Sequence, residues 1–189
     1  MEEKILDAIK DFPIIAAVRD VKDLNTALSS NAQVIFLLTG DIMNISEIVQ
    51  EVKKYGKIVF VHFDLIEGLG KDNKALEYLA EKVKPHGIIS TRNNILTHTK
   101  QFNFFSIQRL FLLDSQALKT GLTTAKQIEP DSIEILPGIM PSVIKEISLE
   151  VRKPLIAGGL VRTKEEVINA LKSGAIAVST SEKSLWFIE

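Results

Sequence analysis

Short β-branched and apolar runs recur along the whole chain, and between them lie stretches whose apolar residues repeat with helical period. The runs are Ile14–Val18, Val34–Leu38, Ile58–Phe63, Gly87–Ser90, Phe104–Gln108, Ser132–Leu136, Pro154–Ala157 and Ala175–Thr180. Such alternation argues for βα units around a parallel sheet. Eight units point to a closed (β/α)8 TIM barrel; the alternative is an open doubly wound sheet of fewer strands. None of the runs resembles a solvent-exposed edge, and each ends in polar or glycine residues, which favours closure. The 189 residues fall slightly below the usual barrel range of about 200 to more than 400. The expected form is therefore a minimal α/β barrel with short helices, a single domain over residues 1–189, with the stretch Glu2–Lys10 covering its bottom.

The stretches between the runs carry their own start and stop signals. Asn44 and Glu47 stand in a capping-box relation ahead of the stripe Ile45, Ile48, Val49, Val52, and Gly56 is the expected stop. Thr163 and Glu166 form a second such pair, opening a helix that ends at Gly174. Pro141 suits a first helical turn ahead of Val143, Ile144 and Ile147.

Composition removes several chemistries. The chain has no cysteine, so disulfides, thiolate metal sites and cysteine nucleophiles are out, and its three histidines show no zinc-protease spacing. No metal site is expected. The longest apolar runs are far shorter than the roughly 20 residues of a membrane span, and the charged N-terminus is not a secretory signal. A cytoplasmic protein with no membrane partner is the expectation. The net charge is −1, yet the segment from Lys82 to Lys126 holds seven basic residues against the single acid Asp114. A one-sign stretch is most often a solvated face and is otherwise a footprint for a polyanion. On the second reading Lys82, Lys84, Lys100, Lys119 and Lys126 are the candidate polyanion contacts.

In a parallel barrel, ligands are held by the residues just beyond the C-terminal ends of the strands. The seventh run ends in Gly158 and Gly159, where missing side chains let backbone N–H groups approach a ligand; the eighth ends in Ser179 and Thr180 ahead of a short helix. Together they suggest a phosphate site; the plainer reading is a tight turn and a helix cap. Arg19, Asp20, His62, Asp64, Arg109 and Gly138 stand at other strand ends as candidate walls of a polar pocket. His62 and Asp64, two apart at a strand end, are read either as a general base with its carboxylate or as hydrogen-bonded pocket walls. Glu134 lies within an apolar run, and a buried carboxylate needs a partner. An ion pair with Arg92 or Arg109 and a catalytic acid are both open.

The segments PIIAAVRD at Pro13, VIFLLTGDI at Val34, FVHFDLIEGLG at Phe60, GIISTR at Gly87, IQRLFLLDS at Ile107, EILPGIMP at Glu134, IAGGLV at Ile156 and AIAVSTS at Ala175 resemble the glycerol-3-phosphate-responsive antiterminator family. The resemblance runs from Pro13 to Trp186. It implies an effector, glycerol 3-phosphate, and no cofactor. It also implies an RNA partner, the leader of glycerol-catabolism transcripts, on which transcription then reads through a terminator. The output would be regulation rather than catalysis, and RNA contact on a barrel can call for a homo-oligomer. Two other functions stay open: a phosphosugar isomerase or lyase using His62, Asp64 and Glu134, and a phosphometabolite-binding protein with no RNA role. The loop Ile66–Asn73, with its glycines, is a candidate moving element.

Overall fold

The computed structural model describes residues 2–188. Each of the eight runs forms a strand: β1 (Ile14–Val18), β2 (Val34–Leu37), β3 (Ile58–His62), β4 (Gly87–Ser90), β5 (Phe105–Phe111), β6 (Ser132–Leu136), β7 (Leu155–Gly158) and β8 (Ala177–Thr180). They pair in parallel in chain order and β8 pairs with β1, so the sheet is a closed barrel and the open-sheet alternative falls. The helices are α1 (Glu2–Asp11), α2 (Leu24–Ser29), α3 (Ile45–Lys54), α4 (Asn73–Tyr78), α5 (Asn93–Leu96), α6 (Ser115–Ile128), α7 (Pro141–Glu150) and α8 (Lys164–Lys172). After β8 the last helix is cut to a 3-10 segment, Lys183–Phe187. It is pinned by the buried Trp186, whose indole N–H donates to the Thr180 carbonyl at 2.8 Å. α4 continues through a π-helical segment, Leu79–Val83, so the small size comes from the short helices α2 and α5 and from this truncation. No helix among the described residues is long and apolar enough to cross a membrane.

Two apolar clusters arise from the strand pleat, since alternate residues face opposite sides. One fills the barrel and includes Ile15, Phe36, Phe60, Ile89, Ile107 and Ile156, sealed below by Ile5 and Ile9 of α1. Phe60 meets Phe36 and Phe105 edge-to-face, with ring centroids 5.4 and 5.7 Å apart, the arrangement that ring quadrupoles favour. Gly87 makes room for them: a Cβ there would stand 2.4 Å from the Phe60 ring. The second cluster lies between the barrel and its helices and includes Val18, Val49, Val59, Leu76, Ile135 and Val178.

Local signals succeed where the capping side chain has no stronger competitor. Thr163 and Glu166 form the expected capping box, and hydrogen bonds from the Arg162 and Thr163 amides lower the Glu166 pKa. Asn44 precedes α3 but does not cap it. Its amide is captured by Asp41, donating to Oδ2 at 2.8 Å and accepting from the Asp41 N–H at 2.9 Å. A charge-assisted bond is the stronger one, so the asparagine closes the loop instead of the box.

Strand five departs most from expectation. Its apolar run ends at Gln108, but the strand continues to Phe111, with Arg109 paired in register to Glu134. Polar residues mark a strand end only when they face water, and here both Gln108 and Arg109 are buried.

Candidate ligand site at the barrel mouth

Above the core, at the C-terminal ends of the strands, a cavity of about 560 Å³ opens to solvent. Arg19 follows β1 and reaches it with no hydrogen bond or ion pair to the protein among the described residues. Arg162 follows β7, and Ser181 follows β8. The turn after β7 runs through two consecutive residues with positive φ, Gly159 at 74° and Leu160 at 62°. Leucine rarely adopts that conformation, which costs of order 1–3 kcal/mol where it is enforced. This turn lines the cavity, and the Leu160 and Ser181 amides donate to no protein acceptor among the described residues.

The candidate phosphate residues divide. Gly159, Ser179 and Thr180 line the cavity. Gly158 lies beneath it: a Cβ there would come within 2.6 Å of Glu134 Oε1 and Ser179 Oγ. Both hydroxyls already serve the scaffold. Ser179 donates to Glu134 at 2.5 Å, and Thr180 donates to the Val161 carbonyl at 2.7 Å while accepting from the Glu182 amide. What this rim offers an anion is thus backbone N–H and the arginines rather than hydroxyls.

At the floor of the cavity, which both residues line, sits a buried charged pair, Arg109 and Glu134. Arg109 Nε donates to Glu134 Oε2 at 2.6 Å, and Glu134 is fully buried. Of the two partners considered for Glu134, Arg109 is the one it takes, and its second oxygen accepts from Ser179. Both carboxylate oxygens are thus hydrogen-bonded within the protein.

His62 and Asp64 are not hydrogen-bonded to each other. β3 ends at His62, Asp64 falls in a 3-10 turn, and the His62 Nδ1 to Asp64 Oδ2 distance is 3.9 Å. Asp64 instead accepts from the Thr91 amide at 2.8 Å, from Ser90 Oγ at 3.0 Å and from the Thr91 hydroxyl at 3.1 Å, and pairs with Arg92 at 3.2 Å. It ties the end of β3 to that of β4. His62 is buried with Nδ1 unpartnered, and burial followed by the nearby Arg109 charge lowers its pKa to about 4. Asp20 and Gly138 also serve structure. Asp20 caps the turn Val21–Asp23 by accepting from the Lys22 amide at 2.9 Å, and Gly138 packs against the β7 backbone, its N–H donating to the Gly159 carbonyl at 3.0 Å. Arg162, which strand-end inspection misses, lies four residues past the end of β7. Among the described residues no cluster of three or more His, Asp or Glu side chains could hold a metal ion.

The neutral His62 has a measurable consequence. It stays unprotonated in the folded protein down to about pH 4, whereas its ordinary pKa is 6.5. Between those values the unfolded chain binds more protons. Stability present above pH 6.5 is therefore lost as pH falls toward 4, by up to about 1.4 kcal/mol per pH unit. Burial shifts His86 in the same direction and adds to the acid limb. In His62→Leu, urea unfolding across this window is expected to show a shallower pH dependence; an unchanged slope would place the imidazole in solvent.

The basic segment does not form one surface. Lys82, Lys84, Lys100, Lys119 and Lys126 are exposed. Lys82 and Lys84 precede β4, Lys100 precedes β5 and Lys126 ends α6, which puts these four toward the N-terminal end of the barrel, away from the cavity. Lys119 lies midway along α6, and Lys126 pairs with Glu150 at 2.7 Å. Arg92 and Arg109 of the same segment stand at the opposite end.

Fold and site together define a minimal (β/α)8 barrel whose mouth is a cation-lined cavity with the buried Arg109–Glu134 pair at its floor. The chain belongs to the glycerol-3-phosphate responsive antiterminator family, which it matches over residues 14–186. It is 40% identical over 182 residues to the Escherichia coli (strain K12) protein named "Uncharacterized protein YgcP", covering 96% of this chain and 95% of that one. The crystal structure of the glycerol uptake operon antiterminator regulatory protein from Listeria monocytogenes superposes with a TM-score of 0.90 at 38% identity, covering 93% of this chain and 95% of the other. That of a glycerol uptake operon antiterminator-related protein from Thermotoga maritima gives 0.81 at 34% identity, covering 92% and 96%.

Proposed function

We propose that this protein is a glycerol 3-phosphate-responsive, RNA-binding transcription antiterminator in which occupation of the mouth cavity, not turnover, is the output. The observation that carries the reading is the pairing state of the polar groups. Glu134 is consumed by Arg109 and Ser179, Asp64 by the end of β4, and His62 is neutral behind Arg109. An isomerase or lyase needs a base within hydrogen-bond reach of a substrate proton, and none of these three lines the cavity with a free basic atom. Arg19, Arg162 and the turn after β7 suit the phosphate of a small dianion, and family membership supports glycerol 3-phosphate as that ligand and a leader transcript as the partner. The exposed lysines from Lys82 to Lys126 remain the proposed RNA contacts, which puts effector and RNA at different ends of the barrel.

The test is binding of the cognate leader RNA with and without glycerol 3-phosphate across a salt series. Ligand is expected to raise the melting temperature, with stabilisation growing as RT ln(1 + [L]/Kd), and to change RNA affinity with a strong salt dependence. Ligand stabilisation without RNA binding would leave a phosphometabolite-binding protein. Turnover of a triose phosphate would reinstate an enzyme.

A further inference from the structure

The mouth cavity is larger and more apolar than glycerol 3-phosphate requires. Its volume of about 560 Å³ lies within the roughly 300–1,000 Å³ typical of pockets for drug-sized ligands. Three carbons, two hydroxyls and a phosphate fill only part of it. The lining is also divided by strand order. Arg19, Arg162 and Ser181 stand on the contiguous arc β7–β8–β1, beside Leu160, while Leu38, Leu65, Phe111 and Leu136 come from β2, β3, β5 and β6, where the charged lining residues Arg109 and Glu134 are paired with each other. Leu65 and Phe111 are about half exposed, at 46% and 52%, although aromatic and aliphatic side chains at a cavity wall gain by being covered.

Resting on the phosphate reading above, we propose that the ligand class extends to glycerol phosphates carrying a short acyl or alkyl group on a glycerol hydroxyl. The phosphate faces the Arg19–Arg162 arc and the apolar group lies along Leu38, Leu65, Phe111 and Leu136. Charge placement agrees. Of the carboxylates at the cavity, Glu134 is neutralised by Arg109, and Glu182 keeps its charge but faces the two cations Arg19 and Arg162, so the net charge of the lining is positive and favours a monoester dianion. On the opposite arc the polar lining side chains, Arg109 and Glu134, are already paired with each other, which disfavours a nucleoside monophosphate of similar size.

Calorimetric titration of the full chain with glycerol 3-phosphate, its 1-butanoyl and 1-hexanoyl esters, and adenosine monophosphate tests this. Each buried methylene is expected to tighten binding by up to about fourfold, so the hexanoyl ester should bind at least tenfold tighter than glycerol 3-phosphate. Phe111→Ser and Leu65→Ser should each shrink that ratio. Equal or weaker binding of the esters, with glycerol 3-phosphate still bound, would overturn the extension and leave the phosphate reading standing. Failure of all the glycerol phosphates to bind would remove both. Tighter adenosine monophosphate would replace the acyl class with a nucleoside one, and a ratio unmoved in both variants would refute the assigned wall.

Discussion

Glu134→Leu is expected to destabilise the barrel by about 3–5 kcal/mol, the cost of leaving one member of a buried ion pair without its counter-charge. Arg109 is 7% exposed and Glu134 not at all, so water cannot make good the loss, and Ser179 loses its acceptor as well. Adding Arg109→Met should recover most of the loss, because replacing both members of a buried pair by apolar side chains is often neutral or stabilising. The Ser179 hydroxyl would then stay orphaned at about 1–3 kcal/mol, and a third change, Ser179→Ala, should remove that remainder. Urea midpoints at constant slope read each step. A loss below about 1 kcal/mol in Glu134→Leu would mean that the pair is solvated through the cavity, in the range of exposed ion pairs, and that Arg109 is free to meet a ligand.

This charged layer also marks where the sequence stops being legible. All eight strands are readable because apolar runs and helical stripes are properties of neighbouring residues. The closed order is readable because no run has an edge. The end of β5 is not, since Gln108 and Arg109 look like a solvated terminus until Glu134 is placed beside Arg109 by register. Asn44 fails as a cap for the same kind of reason: a loop aspartate outcompetes the helix for its amide. Sequence proximity pairs Asp64 with His62, whereas its actual partners arrive from the end of β4. Linear charge misleads most, because the run from Lys82 to Lys126 alternates between the two ends of the barrel. Arg162 escapes notice because, in sequence, a cation just ahead of a capping box reads as part of a solvated helix start.

The second large effect is expected at Gly159. Gly159→Asp should weaken glycerol 3-phosphate binding more than a hundredfold, since opposing a phosphate with a like charge costs several kcal/mol. The fold should tolerate the change. Gly159 has φ of 74°, where aspartate and asparagine are the best accepted L-residues, and the nearest obstacle to a Cβ is a Leu136 methyl at 3.1 Å that can shift. Gly159→Asn supplies the same bulk without the charge, so the difference between the two variants isolates electrostatics from sterics. Gly158→Ala should behave in the opposite way. Its Cβ would press on Glu134 Oε1 and Ser179 Oγ at 2.6 Å, so its effect should be seen as lost stability, through the buried pair, before any loss of affinity. Ligand-induced melting shifts, measured alongside the ligand-free melting temperature, separate the cases. If Gly159→Asp kept its ligand shift while Gly158→Ala kept its stability, the anion would have to bind away from the turn after β7, and the Arg19 side of the mouth would be the place to look for it.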